Sequence, residues 1–240
     1  MEQKAKTARQ RARAEITAEI LQAARTRLTQ AGPGELSLRA VARDVGMVSS
    51  AVYRYFPSRD DLLTALLIEA YDELGAAAEA ADDAVADRDD AAARWLATCR
   101  ATRTWAVEHP HDYALLYGSP VTGYAAPRDT IVPATRVIVR LVEIVMAAVA
   151  AGAIEPGTSD DEPHPFDPSV RGAVEAIRDL GGPSATEAPA ELVGRTLMAW
   201  STIFGTISFE LWGHLVGSVS DHEEFFDGVA ARLWTDLGLS

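Results

Sequence analysis

The chain of 240 residues predicts an all-α protein, and three observations carry that reading. Alanine is abundant and strand-like alternation of apolar and polar residues is absent. Apolar residues recur instead at i, i+3, i+4 and i+7, as on one face of a helix. Glycine and proline fall at the ends of these periodic stretches, where helices start and stop. The length exceeds one small domain and permits a substantial core.

Residues 1–13 hold Lys4, Lys6, Arg9, Arg11 and Arg13 and read as a flexible basic arm. Such an arm adds phosphate contacts or reaches into a minor groove; a solvated tail is the alternative. Ile16, Ile20, Ala23, Ala24 and Leu28 mark the apolar face of a first helix, which Gly32-Pro33-Gly34 stops.

The stretch 37–56 reads as two short helices around a tight turn. Leu38, Val41, Ala42 and Val45 form the stripe of the first, with Ser37 placed to cap it. Gly46 can take the left-handed conformation that ends a helix. The second runs from about Ser49 to Tyr55, with Val48, Val52 and Phe56 inward. A helix, a turn containing Gly and a second helix make a helix-turn-helix, whose second helix enters the DNA major groove. An ordinary helical pair in a core would show the same apolar spacing. The outward residues argue against it: Arg39, Arg43, Ser49, Ser50, Tyr53, Arg54 and Tyr55 include no acid, and all donate hydrogen bonds to phosphate or base edges.

Pro57 breaks the chain, and Ser58 with Asp61 forms a capping box for a linking helix, Arg59 to Leu74. At about 1.5 Å per residue it spans roughly 25 to 30 Å and joins the DNA module to the rest. Arg59, at its positive end, suits a phosphate. Ala76 to Asp90 reads as a helix end and an acidic turn. A long helix follows from about Asp90 to Glu108, and Pro110 opens a short one. Gly118 to Pro127 is a loop. Thr130 to Gly152 is the most apolar helix and the expected centre of the body, with Pro133 in its first turn. Ala153 to Pro168, rich in Pro and acids, reads as a disordered loop, and Val170 to Leu180 as a short helix before Gly181-Gly182-Pro183. Two last helices cover about Ala190 to Val216 and Asp221 to Leu237. They carry more large apolar residues than one buried face needs. Leu211, Leu215, Phe225, Val229 and Leu233 are therefore expected in a four-helix bundle made by two chains. The expected domains are the arm 1–13, a DNA-binding domain 14–74 and a helical body 75–240.

Net charge is −13, unevenly placed. Residues 1–59 carry 11 Lys and Arg against 5 Asp and Glu, a net of +6; residues 60–240 carry 11 against 30, a net of −19. A basic module on an acidic body binds phosphate locally and makes a second nucleic-acid surface unfavourable. The single cysteine, Cys99, excludes an intramolecular disulfide and suits a reducing cytoplasm; a redox-sensing thiol is the alternative. Residues 1–15 lack a signal peptide's apolar core, and the run Val137 to Ala151 is too short and too charged to span a bilayer.

Ala42, Gly46, Tyr53, Tyr55 and Phe56, with Ser58, Arg59, Leu62 and Leu63, follow the run Y-x-Y-F-x-S-[KR]-x-x-L-L. With Ile20, Ala23, Ala24 and Gly32 upstream, residues 14–74 resemble the DNA-binding domain of the tetracycline-repressor (TetR) family. Val48 stands where that family usually has a Ser capping the recognition helix, and Ala51 where a Thr or Ser often touches phosphate; Ser49 and Ser50 can supply the hydroxyls. The segment HPHDYALLYGSPVTGY, with Trp200 to Gly205 and Phe209-Glu210-Leu211, resembles a subgroup named for a Trp-His-Gly motif, Phe204 replacing the His.

The resemblance implies an N-terminal three-helix DNA-binding domain joined by the linking helix to a ligand-binding and dimerisation domain. It implies a homodimer on a palindromic double-stranded operator. Candidate DNA contacts are Ser37, Arg39, Ser49, Ser50, Tyr53, Arg54, Tyr55 and Arg59. Tyr53 and Arg59 are assigned to phosphate, Ser49 and Ser50 to sequence preference. It also implies a small-molecule effector pocket, for which Trp95, Cys99, Trp105, Tyr113, Tyr117, Trp200 and Phe204 are candidates; packed core is their ordinary reading. Arg100, Arg103, Arg136 and Arg140 are candidates to pair an anionic group on that ligand, or else lie on solvated helix sides.

No phosphate-loop or dinucleotide glycine pattern, nucleophile elbow or zinc-protease motif occurs. His109, His111 and His214 lack metal-ligand spacing, and no cofactor or catalytic residue is assigned. The leading expectation is a repressor released by a small apolar effector. A DNA-binding regulator governed by a protein partner and an all-helical enzyme are the alternatives.

Overall fold

The structure, a computed structural model, describes residues 8–32, 34, 36–152, 169–179 and 190–238. Ten α-helices occupy the described residues: α1 Ala8–Ala31, α2 Leu38–Asp44, α3 Ser49–Val52, α4 Arg59–Asp83, α5 Ala91–Glu108, α6 Pro110–Tyr117, α7 Ile131–Ala150, α8 Arg171–Asp179, α9 Ala190–Leu211 and α10 His222–Asp236. No strand occurs among them. Lys4, Lys6, the segment 153–168 and Gly181-Gly182-Pro183 lie outside the described residues.

Two compact units form, one from residues up to Glu73 with His109–Ala134, the other from Leu74–Glu108 with Thr135 onward. The first closes around Ile20, Ala24, Val41, Val52, Leu62 and Leu63, all fully buried. Leu115, Leu116, Val121 and Tyr124 pack on that same core. The short helix α6 and its following loop, which the sequence places with the C-terminal body, therefore belong with the DNA-binding helices. Charge reinforces the docking: Arg25 of α1 lies 2.8 Å from Glu73 and 3.1 Å from Glu69 on α4, and 3.7 Å from Asp112 on α6. The Thr64 and Tyr124 hydroxyls meet at 2.8 Å, and Tyr71 packs edge-on to Tyr117.

Two expected boundaries move. Helix α1 starts at Ala8, so residues 8–13 of the expected flexible arm are helical. Ala, Arg and Gln favour helix, and no breaker separates them from Ile16. Helix α4 runs on to Asp83, well past Leu74. Its Ala-rich second half contains no proline, and Asp82 at its end is fully buried. That carboxylate accepts from Arg94 of α5 at 2.7 and 3.1 Å, from Arg88 at 3.0 Å and from Arg140 of α7 at 3.0 Å. Gly75 leaves the space that the Arg136 side chain fills; a Cβ there would meet it at 2.7 Å. Arg136 in turn forks onto Glu79 at 2.6 and 2.8 Å.

In the second unit α10 packs most closely against α5 and α9. Trp95 of α5, fully buried, donates its indole N–H to the Ala230 carbonyl at 3.0 Å and lies against Trp234. Helix α7 buries one face, through Val137, Leu141, Ile144, Val145 and Ala148, and is not the centre of the unit. Its two leading residues, Ile131 and Val132, are exposed. Asp221 caps α10 by accepting from the Glu224 N–H at 2.9 Å. None of the described helices is long and apolar enough to cross a membrane.

Candidate nucleic-acid interface

The helix-turn-helix is assembled by three local choices. Leu38, Val41 and Ala42 turn inward on α2, and Ala42, without bulk, lets α3 cross closely. Gly46 takes φ +64, ending the first helix in the left-handed region that suits glycine. Val52 and Phe56 are buried and fix α3 on the core. Helix α3 itself is shorter than the sequence suggests, Ser49–Val52, with Tyr53–Tyr55 in turn conformation. The Ser37 hydroxyl makes no capping bond; its carbonyl accepts from Ala40 and Val41 instead, at 2.9 and 3.0 Å. Val48 is not inward but 70% exposed, because the N-cap residue has extended backbone, outside the helical period.

Arg39, Arg43, Ser50, Tyr53 and Arg54 are exposed, as read from the sequence, and Ser49 is half-buried. Ser37, Arg39, Tyr53, Pro57, Ser58 and Arg59 border one open hollow of about 530 Å³. Four candidate contacts thus converge from the start of α2, the end of α3 and the start of α4. Arg59 is steered there: its Nε donates to the Leu36 carbonyl at 3.2 Å, with Asp60 at 3.6 Å. The capping box forms, the Asp61 N–H donating to Ser58 Oγ at 3.1 Å and the Ser58 hydroxyl to the Asp61 carboxylate at 2.7 Å.

Tyr55 departs from the expectation. It is half-buried against the core, and the Arg13 guanidinium sits 5.0 Å above its ring. Arg13 also donates to the Arg54 carbonyl at 3.4 Å. Arg13 thus touches both the Tyr55 ring and the backbone of the turn after α3, contacts that aromatic character alone does not reveal. Asp44, the acid on α2, is covered by Arg27 at 2.5 and 2.8 Å. The hydrogen bond from Arg27 keeps that carboxyl below its ordinary range, so it stays ionised but paired. The exposed face therefore keeps its positive excess.

Of the candidate effector residues, Trp95, Cys99, Trp105, Tyr113 and Phe204 are buried, and Tyr117 and Trp200 are half-buried. Trp95, Cys99 and Trp105 are buried in the second unit. Burial pushes the Cys99 thiol well up, which disfavours thiolate chemistry. Trp200 and Phe204 face each other at 5.6 Å along α9. Tyr113 and Tyr117, at 5.0 Å, belong to the first unit. The four arginines considered for an anionic ligand already hold carboxylates: Arg100 with Asp227, Arg103 with Glu210, Arg136 with Glu79 and Arg140 with Asp82. Their partners lie far along the sequence, which spacing cannot reveal. His214 packs edge-on to Phe209. Among the described residues no group of three or more His, Cys, Asp and Glu is placed to hold a metal.

Of the residues read as a dimer surface, Phe225 is 41% exposed, while Leu211, Leu215, Val229 and Leu233 are half-buried within their own chain. The more open apolar side chains are Met198, Phe209, Trp212 and Val216. Met198, Thr202, Gly205 and Phe209 recur at spacings of 4, 3 and 4 on α9, a seam readable in the sequence. On α10 the corresponding outward positions are Phe225, Gly228, Arg232 and Thr235, of which Phe225 alone carries a large apolar side chain.

A helix-turn-helix whose one exposed acid, Asp44, is paired with Arg27, on an all-helical scaffold, defines the class, a DNA-binding transcriptional regulator. The chain belongs to the TetR family: residues 20–66 match the model of bacterial regulatory proteins of the tetR family, and residues 95–233 match the tetracyclin repressor-like C-terminal domain. It is 43% identical over 210 residues to the HTH-type transcriptional regulators Rv1816 of Mycobacterium tuberculosis H37Rv and Mb1846 of Mycobacterium bovis, covering 85% of this chain and 84% of each relative. The crystal structure of SCO4313 matches with 31% identity and a TM-score of 0.71, covering 95% of this chain and 100% of that one. RolR, solved in complex with resorcinol, shares the fold at 15% identity and a TM-score of 0.53, covering 93% of this chain and 89% of that one.

Proposed function

We propose that this protein is a cytoplasmic, homodimeric repressor that binds a roughly palindromic operator and leaves it when a small apolar effector binds the C-terminal domain. The observation that carries the DNA part is the hollow bordered by Ser37, Arg39, Tyr53 and Arg59. Tyr53, Arg39 and Arg59 hold phosphate; Ser49 and Ser50, at the start of the recognition helix, meet base edges. Two such helices enter successive major grooves about 34 Å apart. The outward seams on α9 and α10 are the surface a second copy covers. The family resemblance supports an effector, and RolR, a protein of the same fold, was solved in complex with the small aromatic ligand resorcinol.

The packing of Trp95, Cys99 and Trp105 supports a second reading, in which a protein partner, not a small ligand, controls the same DNA-binding unit. Selection from random duplex DNA, then gel shift with the recovered site, tests the DNA part; no enriched site would end it. Calorimetry of a stabilising metabolite with and without that DNA separates the two readings. A tenfold mutual weakening corresponds to about 1.4 kcal/mol of coupling. Equal affinities in the two titrations would remove the effector.

Arg39→Ala and Arg59→Ala are each expected to weaken binding alike on all sequences. Each is expected to lower the salt slope by about one unit per protomer. A changed base preference with an unchanged slope would contradict the phosphate assignment.

A further inference from the structure

Val48 is an exposed apolar residue within the helix-turn-helix that its own core does not explain. It precedes the recognition helix directly and is 70% exposed, while Val52, one turn later, is fully buried. It holds the N-cap position, with φ −70 and ψ 140, and gives α3 no side-chain capping bond. Serine, threonine, aspartate or asparagine at that position would satisfy a free N–H; valine cannot. A β-branched apolar side chain there both forgoes the cap and faces water. It is followed in the chain by Ser49 and Ser50, and Arg39, Arg43, Tyr53 and Arg54 are other exposed hydrogen-bond donors of the two helices and their flanking turns. A lone apolar group inside a basic, hydrogen-bonding face is what a major-groove reader uses for one feature, the C5-methyl of thymine.

We propose that Val48 is a specificity-determining residue whose methyl groups pack on a thymine methyl in each half-site. This rests on the DNA-binding reading above and adds the base class read. Ser49 and Ser50 supply hydrogen bonds next to it; Val48 supplies the apolar contact that those serines cannot make. Removing one buried methyl corresponds to about fourfold in affinity per half-site, and about fifteenfold for the two together.

The test uses the full-length protein and the site recovered from random DNA, with each thymine replaced in turn by deoxyuridine, which lacks only the methyl. Wild type is expected to lose about fourfold at one symmetric position and nothing comparable elsewhere. Val48→Ser is expected to bind the thymine and uracil sites equally, and to unfold at a higher temperature because the cap is restored. Val48→Thr keeps one methyl and is expected to keep discriminating. If Val48→Ser discriminates as wild type does, or if no thymine position is methyl-sensitive, the assignment is wrong while the regulator reading stands. If wild type selects no DNA site, both are wrong.

Discussion

A chain carrying Phe225→Arg is expected to be a monomer and to bind its operator about 10² to 10⁴ times more weakly than wild type. Phe225 is 41% exposed on α10, so a charge there leaves the chain's own core intact. The charge would lie in the proposed contact between two α9–α10 pairs. Two recognition helices held together bind with an effective local concentration that separate helices lack, and that advantage disappears with the contact. Leu211→Arg and Leu233→Arg reach the same surface but also disturb half-buried packing, so Phe225 is the cleaner site. Analytical ultracentrifugation and gel shift on one preparation decide the matter. A monomeric variant with wild-type affinity would refute the dimer requirement, and so would a wild type that is monomeric while binding tightly.

Replacement of Asp82 by Ala is expected to cost about 3 to 5 kcal/mol, because it strands the guanidinium of Arg94 in a buried place without its charge partner. Asp82 is fully buried and meets Arg94, Arg88 and Arg140. Burial alone would raise its carboxyl; the hydrogen bonds and charges of Arg94 and Arg88 outweigh burial and lower it from 3.8 to about 2. The folded value is depressed, so the stabilisation is complete above the unfolded value and is lost as pH falls through the folded one. It amounts to about 2 kcal/mol, lost between roughly pH 4 and pH 2. Urea unfolding of wild type and Asp82→Asn across that window reads it directly. The variant is expected to be less stable at pH 7 and to lack this part of the acid dependence. Identical pH profiles would show that Asp82 is not the group responsible.

The sequence by itself determined the helical class, the helix-turn-helix and its basic face. Leu38, Val41, Ala42 and Gly46 are within nine residues of one another, and the 3.6-residue period and the glycine turn act at that range. The same holds for the capping box of Ser58 and Asp61 and for Pro110 at the first position of α6. Val48 failed although it is equally local, since period-based reading assigns it a helical backbone that an N-cap residue does not have. Tertiary structure alone decided that α6 packs with the DNA-binding helices, that Tyr55 is half-buried on the core under Arg13, and that Arg100, Arg103, Arg136 and Arg140 are already paired. It also decided that Trp95 and Trp105 of α5 are buried in the second unit. Arg103 finds Glu210 across 107 positions and Trp95 finds Ala230 across 135. Helical periodicity shows that such a side chain faces inward or outward; which distant group it meets depends on how the helices pack, and no local rule carries that information.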